Sequence, residues 1–306
     1  MSAPNTTPKV PLSAALVDQL TKVVQDLPNP VVGDAGLLAE ESTRVYDAVL
    51  AGAPELQYFV EGCRLLLANR YGEGCVVINA APILDEAATD DSGKILTVLM
   101  SWLGTPLRPF GWWPLWKPLG ANLALDPMHT TGTGYSPFHI DIVNATLPPD
   151  FSALLCVRPD PCGGGHSLIS HLRRAVARLS SEERARLSEV VYRGGKFYDS
   201  CGVGEEYSPF PVLDNLPLEN GFVRFTAKML SDMESEDPHA AAVRALEHEL
   251  VVGQHRLLLE RGDLLVVNQH LSAHARDPFG EGQREVVAEG RSRLLWQMFL
   301  RTRRVA

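Results

Sequence analysis

Short strand-like runs separated by turns constrain the fold of this chain more than any other feature. Seven runs follow Gly111, and only two helical patterns interrupt them, one from about Leu172 to Val191 and one from about Pro238 to Leu250. A doubly wound parallel sheet requires strands that alternate with helices, whereas many strands with few helices favour an antiparallel sandwich. The pattern therefore predicts an α+β chain with a jelly-roll core and flanking helices. The runs are FHIDIVN, SALLCVR, HSLISH, FVRFTAKM, HRLLLE, DLLVVN and LLWQMFLR.

The N-terminal quarter has a different pattern. From Leu12 to about Asn69 the apolar residues recur at helical spacing, and Gly and Pro separate three such segments. The first predicted strand is GCVVINAAPI, and KILTVLMSWLG then predicts a helix. We expect a disordered N-terminus over residues 1–11, without a secretory signal, and one domain over 12–306. Within that domain, residues 12–72 form a helical segment and 73–306 form the core.

Composition excludes several classes of partner. The chain has 28 Lys and Arg against 37 Asp and Glu, a formal charge of -9, and no basic cluster dense enough for nucleic acid. No stretch approaches the roughly 20 apolar residues that span a bilayer. The cysteines are odd in number and form no C-x-x-C pair, which favours reduced thiols in the cytoplasm over disulfides or a cysteine zinc site. They are Cys63, Cys75, Cys156, Cys162 and Cys201.

The sharpest local motif is Ser136-Pro-Phe-His139-Ile-Asp141. Residues two apart on a strand project from the same face, so one strand would offer both an imidazole and a carboxylate. This pair suits a divalent metal such as non-haem iron if a third ligand comes from elsewhere. Alone the pattern is common, and a half-buried histidine beside a solvated aspartate explains it equally well.

A third ligand is available near the C-terminus. The segment RGDLLVVNQHLSAHARDPF places a strand before a polar turn and His274. About twenty residues later, Arg291 and Arg293 adjoin an apolar strand, where an unpaired charge is costly. A bound carboxylate would offset that cost.

These residues together resemble the clavaminate synthase-like and taurine dioxygenase-like oxygenases, which use iron(II) and 2-oxoglutarate. The resemblance covers roughly Gly74 to Arg301 and depends on the order and spacing of FHID, ALLCVRPDPCGGGHSLIS, GDLLVVNQHLSAHARDPF and RSRLLWQMFLR. It implies a double-stranded β-helix core. It also implies His139 and Asp141 as the proximal metal ligands and His274 as the distal ligand, on another strand.

The resemblance further implies a 2-oxoglutarate site. Ser167 matches a hydroxyl that helps bind the co-substrate, and Arg293 matches the arginine that takes its distal carboxylate. A guanidinium suits this task because it forms two parallel hydrogen bonds with a carboxylate. The segment between His274 and Arg293 is longer than is usual in the family, so Arg291 is an alternative. A second family arginine aligns with Gln297, and its role is absent here or reassigned.

The resemblance implies oxidative decarboxylation of 2-oxoglutarate to succinate and carbon dioxide. This step is coupled to attack on an unactivated C–H bond by an oxidant derived from dioxygen. Hydroxylation is the default, and desaturation or cyclisation uses the same ligands. Related halogenases carry a small residue where this chain has Asp141, so halogenation is disfavoured. Rival interpretations are a non-catalytic jelly-roll binding protein and a zinc hydrolase.

The substrate is predicted only by class, as a small amino-acid-like or natural-product molecule. The segment Tyr198–Pro211 has the composition of a mobile lid. Its Asp199, Glu205 and Glu206 either pair with a substrate amine or are solvated charges. The sequence does not determine the oligomeric state.

Other conspicuous residues have ordinary explanations. Trp112, Trp113 and Trp116 are expected to pack in the core or under a lid, with pocket lining as the alternative. His270 and His274 stand four apart, but the strand-like run before them argues against a zinc-protease helix. Arg276 is either a surface ion-pair partner or a residue close to the site.

Overall fold

The computed structural model describes residues 7–86, 89–194, 208–214 and 222–302. Most of the predicted lid, including Asp199, Glu205 and Glu206, lies outside these ranges. The helices are α1 Ala14–Asp26, α2 Ala39–Gly52, α3 Glu55–Ala68, α4 Ala81–Glu86, α5 Thr89–Leu103, α6 Leu172–Arg178, α7 Ser181–Leu187, α8 Pro238–Val252 and α9 Gln283–Ala288, with a 3₁₀ helix at Ala227–Asp232. The strands are β1 Lys9–Pro11, β2 Val32–Gly33, β3 Gly36–Leu37, β4 Cys75–Asn79, β5 Thr105–Leu107, β6 Lys117–Gly120, β7 Ser136–His139, β8 Phe151–Arg158, β9 Ser167–His171, β10 His255–Leu257, β11 Asp263–Asn268, β12 Ser272–Arg276 and β13 Leu294–Arg301.

The described strands form two sheets. The larger has the order β1-β4-β11-β8-β13-β5-β3-β2, with β6 also paired to β13, and the smaller has the order β10-β9-β12-β7. Every pairing is antiparallel except that of β1 with β4. Apart from β2 and β3, neighbours in each sheet are distant in sequence, as a jelly roll requires.

Because side chains alternate between the two faces of each sheet, the hydrophobic core is divided into three clusters. One lies outside each sheet and one lies between the sheets. In β4, Val76 and Ile78 face the N-terminal helices, whereas Cys75 and Val77 face the smaller sheet. The space between the sheets is filled by residues from both, among them Ile169 of β9. Central strands of the larger sheet are therefore apolar on both faces, which explains their continuous hydrophobic runs.

The N-terminal helices cover the outer face of the larger sheet. Leu16 and Leu20 of α1 and Leu96 and Leu99 of α5 are buried in the same cluster as the outward residues of β4, β8, β11 and β13. The Ser13 side chain accepts a hydrogen bond from the backbone N–H of Leu16 and so caps α1. The helices α1, α2 and α3 lie between residues 14 and 68, together with the short strands β2 and β3.

The outer face of the smaller sheet packs against α6, α7 and α8. Ala273 and Ala275 of β12 and Phe138 of β7 share a cluster with Val243 and Leu246 of α8. The helix predicted from about Leu172 to Val191 is in fact two helices, because α6 ends at Arg178 and α7 begins at Ser181. The restart is a capping box, in which Ser180 and Glu183 bond reciprocally.

Three local expectations are wrong. The run FVRFTAKM forms isolated bridges at Val223 and Thr226 and then the 3₁₀ helix, and not a strand. Lys9–Pro11, which were predicted to belong to a disordered N-terminus, form β1 and pair in parallel with β4. The strand that carries His139 ends at that residue, so Asp141 lies in the turn that follows.

No helix among the described residues is long and apolar enough to cross a membrane.

Candidate metal centre

Two strands and one turn bring the three predicted ligands together. His139 at the end of β7 lies opposite His274 of β12 in the strand register, and their ring centroids are 4.4 Å apart. Asp141 reaches the same point, with Oδ2 3.3 Å from His274 Nε2 and Oδ1 3.9 Å from His139 Nε2. One potential ligand atom from each residue lies within 4.8 Å of the others. Among the described residues this is the one cluster of metal-ligating side chains with that geometry.

Neighbouring groups fix the orientation of the ligands. The Nδ1 atom of His139 lies 2.8 Å from the carbonyl oxygen of Pro137, so Nδ1 carries the proton and donates a hydrogen bond to that oxygen. The lone pair of Nε2 is then available to bind a metal. Gln297 Nε2 donates to Asp141 Oδ1 at 3.2 Å. The side-chain oxygen of Gln269 accepts a hydrogen bond from the backbone N–H of Asp141. These contacts hold the carboxylate towards the two imidazoles.

Two of the predicted ligands, His139 and Asp141, have the protonation states that metal binding needs. Burial, followed by the neighbouring His274, lowers the pKa of His139 to about 3, so its imidazole is neutral at neutral pH. Burial alone would raise the pKa of Asp141, but His274, His139 and hydrogen bonds from Ser152 and Gln297 lower it overall. A neutral imidazole and an ionised carboxylate are the forms that bind a metal.

The residue after the carboxylate ligand is strained. Ile142 has φ of 54°, and it is the single non-glycine residue with positive φ in the described chain. A β-branched side chain disfavours this conformation by about 1–3 kcal/mol, and such strain persists only where surrounding contacts impose it. Here the N–H of Ile140 bonds to Phe225 and the N–H of Asp141 bonds to Gln269, which fixes the backbone on the N-terminal side of the turn.

Two buried atoms at the centre lack protein partners. Asp141 Oδ2 and His274 Nδ1 are inaccessible to solvent and have no hydrogen bond among the described residues. A buried polar atom without a partner is costly, and a carboxylate oxygen is the costlier of the two. The Asp141 oxygen points between two imidazoles, so this donor set fits a divalent metal held by two nitrogens and one oxygen.

The centre lies where two cavities meet. One cavity, of about 120 Å³, is walled by Trp113, Lys117, Lys228 and Phe299, among other residues, and we refer to it as the outer cavity. The other, of about 50 Å³, runs between the sheets to Ser167, Arg276 and Arg293, and we refer to it as the inner cavity. His139, Asp141 and Gln297 line both. A metal at the centre would thus be accessible from two separate directions.

The inner cavity ends at two buried arginines. Arg276 and Arg293 are 6% and 7% exposed, and their guanidinium carbons lie 4.1 and 5.5 Å from the centre of the Phe279 ring. Burial lowers the pKa of each to about 10, and for Arg276 the charge of Arg293 is the next cause. Arg276 donates to the backbone oxygens of Gly132 and Asp277. No described side chain forms a hydrogen bond or ion pair with Arg293, so an anion at this end would relieve a buried charge.

The structure separates the two competing arginines. The Arg291 side chain is 58% exposed and pairs with Glu289 on the surface, whereas Arg293 lines the inner cavity. Ser167 is also in that cavity, paired in register with Arg276. The segment between His274 and Arg293 contains the short helix α9.

Several residues at the site carried no signal in the sequence. Ser136 is three residues before His139, a spacing that puts two side chains on opposite faces of a regular strand. A register shift between β7 and β12 places Ser136 opposite Arg276, so both Ser136 and His139 line the inner cavity. Gln269 lies within the motif GDLLVVNQHLSAHARDPF but has no role predicted from it, and Lys228 belongs to no recognisable motif. Trp113 lines the outer cavity, contrary to the packing role expected for it, while Trp116 does pack against the helical core.

His270 has a structural partner away from the centre. Its Nε2 lies 2.7 Å from Asp150 Oδ1, and its ring stacks on Phe222 at 3.9 Å between centroids. Arg301 also contacts Asp150. His270 therefore stabilises the turn between β11 and β12 and is not a ligand of the cluster.

A buried aspartate ties together the two loops that hold the arginine end. Asp160 accepts hydrogen bonds from the backbone N–H groups of Gly280, Gly164 and Cys162 and from Gln283 Nε2, at 2.8–3.1 Å. The loops touch at their backbones, since a Cβ atom on Gly164 would lie 2.1 Å from the Gly280 nitrogen. This contact explains why glycine is required in the Gly-Gly-Gly run, and it positions Phe279 beneath the arginines.

We expect Asp160→Ala to lower the free energy of unfolding by about 2–4 kcal/mol, because four donors lose a charged acceptor in a buried position. Burial raises the pKa of Asp160, but the bonds from Gln283 and the three N–H groups lower it overall. The stabilisation by the Asp160 carboxylate is therefore complete above about pH 4, the pKa of an aspartate in the unfolded chain. It is lost as the pH falls through the lower pKa of Asp160 in the folded state. Urea unfolding measures it. Exposed Asp18 provides the control, since Asp18→Ala should change stability by less than about 0.5 kcal/mol. Equal effects of the two changes would contradict this role.

A family model supplies the first comparison with known proteins. The model described as taurine catabolism dioxygenase TauD, TfdA family matches residues 120–291, which is more than half of the chain. The chain belongs to the TauD, TfdA family. The match includes His139, Asp141 and His274 and ends two residues before Arg293. Clavaminate synthase 2 of Streptomyces clavuligerus is a relative with 28% identity over 177 residues. That alignment covers 55% of this chain and half the length of the relative.

Solved structures show that this TauD-family chain has the fold predicted for it. Asparagine oxygenase in complex with Fe(II), 2S,3S-3-hydroxyasparagine and succinate superposes with a TM-score of 0.75 at 20% identity, covering 96% of this chain and 93% of the other. The non-heme iron oxygenase OrfP in complex with Fe and alpha-ketoglutaric acid gives 0.67 at 17% identity, covering 97% and 95%. The double-stranded β-helix core with flanking helices is thereby confirmed.

Proposed function

We propose that this TauD-family chain is an iron(II) and 2-oxoglutarate dependent oxygenase that hydroxylates an unactivated C–H bond of a small amino-acid-like or natural-product substrate. The observation that carries the proposal is a cavity with unsatisfied groups at both ends. Asp141 Oδ2 is buried without a partner at one end, and the unpaired guanidinium of Arg293 lies at the other. A metal and a dicarboxylate together would satisfy both.

His139, Asp141 and His274 are the proposed metal ligands. Iron(II) held by two imidazoles and one carboxylate keeps open positions, and with 2-oxoglutarate and dioxygen it supplies the oxidising chemistry, releasing succinate and carbon dioxide. The protein's part is to fix the ligand set. Pro137 orients the His139 ring, and Gln297 orients the Asp141 carboxylate.

Arg293 is the proposed partner of the distal carboxylate of 2-oxoglutarate. Its burial means that water competes poorly for the guanidinium, so a bidentate carboxylate bond should be strong there. Ser167 is the proposed hydroxyl donor to the same molecule, since it lines the inner cavity beside Arg276. Arg291 is not favoured because Glu289 already neutralises it on the surface.

The outer cavity is the proposed substrate site. It is lined by His139 and Asp141 but not by Arg276 or Arg293, so a substrate there and 2-oxoglutarate in the inner cavity could both adjoin the metal without competing. The substrate class is supported by the relatives, whose names and complexes include clavaminate, hydroxyasparagine and hydroxyarginine. Desaturation and cyclisation remain alternative outcomes of the same site. A cytoplasmic location is a further proposal, supported by the free thiols of Cys63, Cys75, Cys156 and Cys162.

The proposal predicts a coloured complex without any substrate. Anaerobic protein with iron(II) and 2-oxoglutarate should show a weak visible charge-transfer band, because the keto acid chelates the metal. We expect His139→Ala to abolish the band and His248→Ala to retain it, since His248 is exposed on α8. Visible absorption during anaerobic iron titration measures both.

The same preparation separates the rival functions. On admission of dioxygen, an oxygenase should form succinate, whereas a non-catalytic binding protein should form none. A zinc hydrolase would turn over with zinc and without dioxygen. A band that persists in His139→Ala would remove His139 from the ligand set.

A further inference from the structure

Ser136, on β7, carries a buried hydroxyl that no described group satisfies. The residue lines the inner cavity and is 3% exposed, and its Oγ atom is inaccessible to solvent and has no hydrogen-bond partner among the described residues. A buried hydroxyl without a partner is costly, and a bound acceptor would remove that cost. Ser136 is therefore a candidate contact for a ligand in the inner cavity.

The strand register places Ser136 at the arginine end of this cavity. Between the pairs His139–His274 and Ser136–Arg276, β7 has one residue more than β12, and this bulge includes Pro137. Proline has no N–H group to donate to a neighbouring strand, so it is tolerated at a bulge. Without the extra residue Ser136 would face away from the cavity, because side chains alternate along a regular strand.

Ser136, Arg276 and Ser167 form a row across the strands β7, β12 and β9. Arg276 is paired with Ser136 on one side and with Ser167 on the other, and neighbouring strands lie about 4.8 Å apart. The row is two residues of β12, or about 7 Å, from the metal ligand His274. All three side chains line the inner cavity, as does Arg293 from the segment before β13. The row and Arg293 thus surround the end of the cavity that lies away from the metal centre.

The polar groups at this end can all donate hydrogen bonds. Arg276 and Arg293 have no acceptor atom in their side chains, and each serine hydroxyl has one hydrogen to donate. Arg276 uses two of its N–H groups on the backbone oxygens of Gly132 and Asp277. Among the described residues that line the inner cavity, Asp141 is the one carboxylate, and it lies at the metal end. A bound carboxylate has only acceptor oxygens, so it can satisfy the hydroxyls and the guanidinium group of Arg293 together.

We propose that Ser136 donates its hydroxyl hydrogen to the distal carboxylate of 2-oxoglutarate, alongside Arg293 and Ser167. The inference rests on the proposed function, which supplies the dicarboxylate. Rotation about the Cα–Cβ bond brings the hydroxyl towards the cavity without movement of the backbone, since no described partner holds it in its present position. Ser136 then acts as a specificity residue, because it favours a keto acid with a second carboxylate over one without it.

A matched pair of keto acids tests this contact by absorbance and not by turnover. 2-Oxoglutarate and 2-oxopentanoate have the same chain length and the same chelating group, but 2-oxopentanoate has a methyl group in place of the distal carboxylate. The charge-transfer band of anaerobic iron(II) protein reports the binding of each. We expect Ser136→Ala to raise the dissociation constant of 2-oxoglutarate about 10-fold, as loss of a hydrogen bond to a charged group typically does, and to leave that of 2-oxopentanoate within about twofold. Ser136→Cys, which keeps the shape with a weaker donor, should fall between wild type and Ser136→Ala.

Ser170 provides the control, because it is buried on β9 and lines neither cavity. Ser170→Ala should change neither dissociation constant by more than about twofold, and iron(II) affinity without a keto acid should be the same in wild type and both alanine variants. An unchanged dissociation constant for 2-oxoglutarate in Ser136→Ala, or equal losses of affinity for the two keto acids, would overturn the inference and leave the proposed function intact. Absence of the band from the wild-type protein would instead overturn the proposed function, and this inference with it.

Discussion

Asp141→Gly should abolish turnover and weaken iron(II) binding by more than about 100-fold. Loss of a group that only supports a metal ligand already costs about 10–100-fold, and this change removes a ligand itself. The neighbouring side chains add to the effect, because Gln297 loses its hydrogen-bond acceptor and the two imidazoles lose the adjacent carboxylate. Anaerobic iron titration and succinate formation measure the two losses. Asp141→Asn, which keeps the volume but not the charge, should fall between wild type and Asp141→Gly in iron affinity.

Chloride provides the second part of this prediction. With a carboxylate in place, one metal position is occupied and the net positive charge of the complex is reduced, so chloride should have no effect on wild-type yield. In Asp141→Gly the carboxylate's place is open to added chloride, but we expect little chlorinated product, because the outer cavity, the proposed substrate site, places the substrate separately. Chlorinated product from the unmodified protein, or turnover with zinc in the absence of dioxygen, would refute the proposed mechanism.

Arg293→Leu should raise the Michaelis constant for 2-oxoglutarate by about 30-fold or more. Removing one partner of a buried hydrogen-bonded charge pair typically costs about 2–5 kcal/mol, and Arg293 is 7% exposed with no described partner of its own. Leucine fills much of the same space, so the loss should be electrostatic and not a collapse of the cavity. Iron affinity without 2-oxoglutarate should be unchanged, because the arginine lies at the opposite end of the inner cavity from the ligands.

Arg291→Leu is the matched control for this change. The two arginines are separated by one residue, yet Arg291 forms only an exposed ion pair with Glu289, which contributes at most about 1 kcal/mol. We expect its Michaelis constant for 2-oxoglutarate to stay within about twofold of wild type. If Arg291→Leu shows the large effect and Arg293→Leu does not, the assignment of the co-substrate arginine is wrong.

Local pattern was sufficient for most secondary structure, and it failed where partners from elsewhere decide the backbone. The strands β8, β11 and β13 were predicted because their long apolar runs have one physical explanation, burial on both faces of a sheet. The run FVRFTAKM is also mostly apolar but forms bridges and a 3₁₀ helix. Among the described residues it pairs only through isolated bridges to His139 and Leu213, so no described strand continues a ladder that would keep it extended.

The sequence by itself determined the family-like order of motifs, the α+β class and the identity of His139, Asp141 and His274 as candidates, because these depend on residue type and spacing along one chain. Only the tertiary structure distinguished the surroundings of Arg291 from those of Arg293, two residues of the same type two positions apart. The short helix α9 ends just before them, and β13 begins just after, so one side chain remains in solvent while the other enters the space between the sheets. The same holds for Ser136, Gln297 and Lys228. Their places at the site follow from a register shift, a strand pairing and a helical turn, which are properties of contacts between distant segments and leave no periodic mark in the sequence.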